Sequence, residues 1–173
     1  MTYKLTLFDL DYTLLPLDSD HAWGEFTSAL GWTDAREFKR RNDAFYAQYQ
    51  AGTLDIHDYV RFATAAVRRH GAQAAQQAQA RLMREVIEPA VKPAAQALLD
   101  AHQRAGDAVV IVTATNEFVT RPIATRLGVP ELIAVQLARG ADGWITGEIE
   151  GTPSFREGKV TRMEQWLAGR GLG

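Results

Sequence analysis

Ala108-Val109-Val110-Ile111-Val112, running on into Thr113-Ala114-Thr115-Asn116, is the stretch whose reading decides the fold. Five consecutive apolar residues leave no polar face. They predict a short strand covered on both sides, as in a parallel sheet lying under helices. The flanks agree. Pro93 to Ala105 reads as a helix closed by Gly106, and a second helix follows from about Glu117 to Leu127, ended by Gly128-Val129-Pro130. Further on, Leu132 to Leu137 and Trp144 to Ile149 flank a Gly-Ala-Asp-Gly turn and predict a β-hairpin. A last helix opens at Glu157-Gly158-Lys159 and runs through Leu167.

Toward the N-terminus, Tyr3 to Leu10 is a second apolar strand candidate, ending in Asp9-Leu10-Asp11. The stretch from Tyr12 to Asp20 reads as a loop, with Pro16 stopping regular structure and Asp18 or Ser19 able to cap the next helix. From His21 to about His70 the pattern is helical, with spaced aromatics such as Trp23, Phe26, Phe38, Phe45, Tyr59 and Phe62, and with Gly31, Gly52 and Gly71 as punctuation. Another helix is expected from about Ala74 to Val86, broken by Pro89 and Pro93. The aromatic stripe fits a helix-bundle core. The expected fold class is therefore α/β, a core of residues 1–17 and 89–173 built on a parallel sheet, with an inserted α-helical unit at 18–88. Ligands of such sheets bind beyond the carboxyl ends of the strands. Asp9, Asp11, Thr113, Thr115 and Asn116 fall there.

Composition excludes several function classes. The chain has 173 residues and no cysteine, which removes disulfides, thiolate metal sites and a cysteine nucleophile. A net charge of −2 offers no basic excess for nucleic acid. No apolar run approaches the roughly 18–20 residues of a membrane span, and the N-terminus reaches Asp9 before an h-region could form. The expectation is a cytoplasmic protein with neither nucleic-acid nor membrane partners.

Asp9 and Asp11 flank one residue at a strand end, where alternation would point both side chains the same way. Two carboxylates so placed repel unless a cation or a shared proton relieves them. Mg²⁺ does so readily, binding one or two carboxylates together with substrate phosphate. An aspartate can also attack phosphorus directly, while a second acid protonates the leaving alcohol. Taken alone, Asp-x-Asp is more often a turn or helix-cap pair. As a metal motif of nucleotide-sugar transferases it would need a donor-binding signature that this chain lacks. Thr113, with the Ala114 amide opening a helix, can cradle phosphate oxygens or simply cap the helix. Lys159 can neutralise an anionic nucleophile and phosphate, although an isolated lysine is usually a surface residue.

Together the three elements carry a resemblance. Asp9-Leu10-Asp11-Tyr12-Thr13-Leu14 resembles the first motif of the haloacid dehalogenase (HAD) superfamily, Val110 to Thr115 its second, and Glu157-Gly158-Lys159-Val160 its third in the phosphoserine-phosphatase-like subfamily. The helical insertion is similar to that subfamily's cap. The resemblance implies a Rossmannoid core and a Mg²⁺-dependent phosphomonoester hydrolase acting on a small phosphorylated metabolite through an aspartyl-phosphate. Asp9 would be nucleophile and metal ligand, and Asp11 general acid/base with its main-chain carbonyl on the metal. Thr113 and Ala114 would bind phosphate, and Lys159 would pair with Asp9 and phosphate. Asp18 stands nine residues after Asp9, where that subfamily carries a glutamate that reads the substrate's amino group; helix N-cap is the other role open to it. Arg61 is a candidate partner for a substrate carboxylate, and an exposed helical arginine otherwise.

The family's fourth motif, an acidic pair that completes the metal shell, has no counterpart here. The sequence runs fourteen residues past Lys159 with no acid after Glu164. The expectation is a core C-terminally incomplete, a sparse metal site, and a first strand left as an apolar edge open to homodimer formation. The alternative function is a catalytically impaired phosphate-binding or interaction protein.

Overall fold

The computed structural model describes residues 4–171. Tyr3, expected to open the first strand, lies outside them, as do Leu172 and Gly173. The strand Ala108–Asn116 (β2) is central, as its apolar run requires. The parallel strands β1 (Leu5–Phe8) and β3 (Glu131–Val135) pair on either side of it. β2 is two-faced as expected. Val109 and Ile111 join a core built with Leu99, Ile123 and Leu127, whereas Val110 and Val112 pack with Ile133, Met163 and Trp166. The first face is covered by α6 (Pro93–Arg104) and α7 (Glu117–Arg126), the second by α8 (Glu157–Gly169).

One expected element divides. Leu132–Leu137 is not a hairpin arm: residues 131–135 form β3, and only Leu137 begins the hairpin, as β4 (Leu137–Arg139) against β5 (Ile145–Ile149). The reason is burial. Ile133, Ala134 and Val135 are all enclosed, so successive residues on both faces need cover, which a two-sided sheet supplies and a surface ribbon does not.

Between β1 and α6 lies the helical block: α1 (Ser19–Ala29), α2 (Ala35–Ala51), α3 (Ile56–Ala63) and α4 (Ala65–Leu82). α4 continues through a wide turn at Met83–Ile87 into the single turn α5 (Glu88–Ala90). Asp18, Asp34 and Asp55 cap the first three helices through their side chains. Gly71 punctuates the block as expected: within α4 it takes the non-helical φ 79° and ψ 171°, and two helical stretches meet there at a kink. Pro89 lies inside the single turn α5, and the helical run ends directly after it, at the extended Val91. The aromatic stripe packs as a cluster, Phe62 stacking on Phe38 at 5.5 Å and lying 5.1 Å from Phe45. Trp23 is fully enclosed against Trp32 and Phe118. Among the described residues β1 pairs only with β2, and Leu7 is 47% exposed on it. No described helix is long and apolar enough to cross a membrane.

Candidate active site

The site lies at the carboxyl ends of β1 and β2. The sheet register sets Phe8 beside Ile111, so Asp9 follows β1 where Thr113 and its neighbours close β2. The strand stops at Phe8, so alternation does not orient the two acids. A wide turn, Leu10–Leu14, does so instead, closed by Leu15 N–H donating to Leu10 O at 3.0 Å. Tyr12 within it takes φ 56°, a left-handed conformation rare for a side chain of this size.

The turn gives the two acids opposite surroundings. Asp9 has its side chain 49% exposed, with Lys159 Nζ 3.1 Å from Oδ1. Asp11 is largely enclosed: Ser19 N–H donates to Oδ1 and the Thr115 hydroxyl to Oδ2, each at 2.8 Å. Burial, reinforced by Asp18, raises the Asp11 carboxyl above its usual range despite those two hydrogen bonds.

Thr113 is buried, its hydroxyl oxygen accepting from Thr115 N–H at 3.1 Å. The pairing of β2 with β3 slips between Val112 and Asn116, so Thr113-Ala114-Thr115 leaves the regular ladder where phosphate would approach. Asn116 then caps α7 by accepting from Val119 N–H at 3.3 Å, so the helix-cap reading of this segment also holds. Ser154 Oγ donates to Thr113 O at 2.6 Å, tying the loop before α8 to the end of β2. One turn later that loop delivers Lys159 to Asp9. Gly158 makes the approach feasible, because a Cβ there would overlap the Pro153 carbonyl oxygen.

Asp9, Asp11, Thr113, Ala114 and Lys159 are thus gathered at one end of the sheet. Asp18 is the α1 N-cap, its Oδ1 accepting from Asp20 N–H and His21 N–H at 3.0 and 2.9 Å, and its charge reaches Asp11. Arg61 is not brought to the group. Its guanidinium forms a two-bonded pair with Glu148 at 2.8 and 2.9 Å and bonds Asp58 at 2.9 Å. That fixes α3 to the β5 ribbon instead.

Asp20, Tyr59 and Ser154 enter the arrangement without having been singled out from sequence, and Thr115, expected at the strand end, is there as the donor to Asp11. Asp20 is buried in the first turn of α1, with the Tyr59 hydroxyl donating to Oδ2 at 2.8 Å and the Asn116 amide to Oδ1 at 3.3 Å. Burial, with Asp18 nearby, pushes its carboxyl up to about 7, and burial beside Asp20 carries the Tyr59 phenol well above its usual value. Tyr59 lies thirty-nine residues from its partner, beyond any local signal. The second acid of Asp18-Ser19-Asp20 was the one available hint.

The donor chemistry suits a hard cation that keeps water. Asp9 Oδ1 faces Lys159 and the residue makes no helix-cap bond, leaving Oδ2 for a ligand; both Asp11 oxygens are taken by protein donors. Among the described residues no three His, Cys, Asp or Glu side chains gather as a metal cage. One carboxylate, a main-chain carbonyl, phosphate and water is a set that fits Mg²⁺.

A family model described as haloacid dehalogenase-like hydrolase matches residues 6–173. A histidinol-phosphatase of Neisseria meningitidis serogroup C (strain 8013) is 41% identical over 168 residues, 97% of this chain and 76% of that protein. A crystal structure of a protein of unknown function from Bordetella pertussis Tohama I superposes with a TM-score of 0.92 at 45% identity, over 100% of this chain and 78% of that one. A phosphoserine phosphatase solved as a phospho-aspartyl intermediate analogue gives 0.66 at 18% identity, over 100% and 75%, and shares the fold.

Proposed function

The chain belongs to the haloacid dehalogenase-like hydrolases, and from that premise we propose that it is a Mg²⁺-dependent phosphatase of small phosphate monoesters that works through an aspartyl-phosphate on Asp9. The observation that carries this reading is the contrast between two neighbouring carboxyls. Asp9 lies open beside an ammonium group, while Asp11 is enclosed and holds its proton to higher pH. Environments that push two acids apart assign nucleophile and general acid.

Asp9 Oδ2 attacks phosphorus in line, and the bond to the leaving alcohol oxygen breaks as Asp11 delivers its proton to that oxygen. Asp11, now a carboxylate, takes a proton from the water that attacks the aspartyl-phosphate. The bond between Asp9 and phosphorus then breaks, freeing inorganic phosphate and restoring both acids. Lys159, the Thr113 hydroxyl and the Ala114 amide hold the non-bridging oxygens. Mg²⁺, held by the Asp9 carboxylate and the Asp11 main-chain carbonyl, would neutralise charge on the transferring group. The helices of 18–88 serve as a cap that excludes bulk water and faces the leaving group.

For that leaving group the reading is an amino alcohol. Asp18 and Asp20, at the start of α1, lie close enough to Asp11 for the charges of the three to couple, and neither forms an ion pair among the described residues; a substrate ammonium would offset them. Histidinol phosphate, which the name of the Neisseria relative indicates, is the first ester to test. Phosphate release from it and from p-nitrophenyl phosphate should require Mg²⁺ and vanish in Asp9→Asn. Release that survives in Asp9→Asn would refute the mechanism. Phosphate binding without any turnover would point to the impaired, binding-only alternative.

A further inference from the structure

We propose, building on the phosphatase reading above, that Arg156 is a positioning residue that latches the helical cap onto the core at the point where Lys159 is set in place. Arg156 has φ 50° and ψ −124°. Besides Tyr12, it is the only non-glycine residue with positive φ among the described residues. Glycine would take that conformation without strain, yet an arginine is held in it, a cost that the surrounding structure must offset.

The side chain crosses from core to cap. Its guanidinium lies 4.8 Å from the centre of the Phe155 ring, which in turn lies 6.3 Å from Tyr49 on α2. Arg156 Nη2 would stand 3.8 Å from a Cβ placed on Gly52, the left-handed residue that ends α2. The last carbonyls of a helix lack intrahelical partners and carry partial negative charge, so a cation there is favourable. Arg156 forms no ion pair among the described residues, which leaves its charge for that helix end.

The main chain of the same residue serves the catalytic side. Arg156 O accepts from Lys159 N–H at 3.0 Å, and two residues upstream Ser154 is bound to Thr113 O. A single loop therefore joins the phosphate cradle, the lysine and the far end of the cap. Loss of the guanidinium would shift the cap toward open forms and dilute the binding-competent state, which reads out as KM rather than kcat.

Arg156→Gly removes the side chain while preserving the backbone conformation that presents Lys159. The expected result with histidinol phosphate is a rise in KM of about ten-fold with kcat within about two-fold. Thermal stability should be unchanged or higher, and Arg156→Lys should recover part of the loss. Hydrogen exchange, read with inorganic phosphate present, should be faster at residues 44–53 in Arg156→Gly than in the parent chain. Unchanged KM together with unchanged exchange overturns the proposal. So does a fall in kcat at constant KM, which would place Arg156 on the reacting group. If the parent chain releases no phosphate, the phosphatase reading fails by itself. The exchange comparison still decides the latch, faster exchange supporting it and equal exchange overturning it.

Discussion

Asp20 meets donors on both oxygens, Tyr59 on one and Asn116 on the other, and its carboxyl is pushed up to about 7 by burial and by Asp18. An acid with a folded pKa above its ordinary 3.8 contributes stability that is full below the ordinary value and is lost as pH rises through the folded one. Asp20→Asn cannot ionise, and the Tyr59 hydroxyl can turn to accept from the new amide. The variant should therefore gain on the parent chain between pH 4 and pH 8 by on the order of 2–4 kcal/mol in denaturant titrations; a difference that stays flat with pH would show that Asp20 ionises normally. Asp11 makes a separate prediction. Asp11→Asn should lower kcat by roughly 10²–10⁴-fold for an alkyl phosphate, whose leaving oxygen needs a proton. The loss should be much smaller for p-nitrophenyl phosphate, and equal losses on both esters would remove Asp11 from the general-acid role.

At the scale of elements, the start of α8 determines where Lys159 sits. Gly158 N–H donates to Phe155 O at 2.9 Å, and a Cβ on Gly158 would overlap the Pro153 carbonyl oxygen. Backbone cannot swing aside as a side-chain tip can. Gly158→Ala should cost about 1–3 kcal/mol of stability by overpacking. It should also reduce kcat/KM by roughly 10²-fold by displacing the lysine from Asp9. Activity near that of the parent chain would mean that Lys159 tolerates the shift. Elsewhere, α3 is held to β5 by the Arg61 pair with Glu148. Both groups of that pair are exposed, so its loss should be small, as for other surface pairs.

Across the whole molecule, the end of the sheet remote from the site is gathered on one carboxylate. Asp107 Oδ2, on a side chain only 4% exposed, lies 2.9 Å from Lys4 Nζ and 2.6 Å from His102 Nδ1, and accepts from the Thr6 hydroxyl at 3.2 Å. These contacts join the N-terminal strand, the end of α6 and the start of β2. Hydrogen bonds from His102 and Lys4 lower the Asp107 carboxyl below its usual 3.8. Its contribution is therefore present above that value and lost as pH falls through the depressed one. Asp107→Asn should melt below the parent chain at pH 7, with the gap closing in acid beneath pH 3.8. A gap independent of pH would assign the loss to packing rather than charge.

The sequence by itself determined the central strand, the helical block, the helix after Asn116 and the order of the three motifs. These arise from hydrophobic period, turn residues and caps, which act over a few residues. Asp9, Asp11, Thr113 and Lys159 were legible because their spacing relative to those elements is local information joined to a resemblance. Tertiary structure alone decided the rest. An apolar run such as residues 132–135 suits a hairpin or a parallel sheet equally until β2 offers it an edge. Glu148, eighty-seven residues from Arg61, claims that guanidinium. Asp20 and Asn116 meet over ninety-six residues, and Arg156 meets the end of α2 across the fold. The physical reason is common to all four: which distant groups share one desolvated space depends on how the elements pack, and no local period records it.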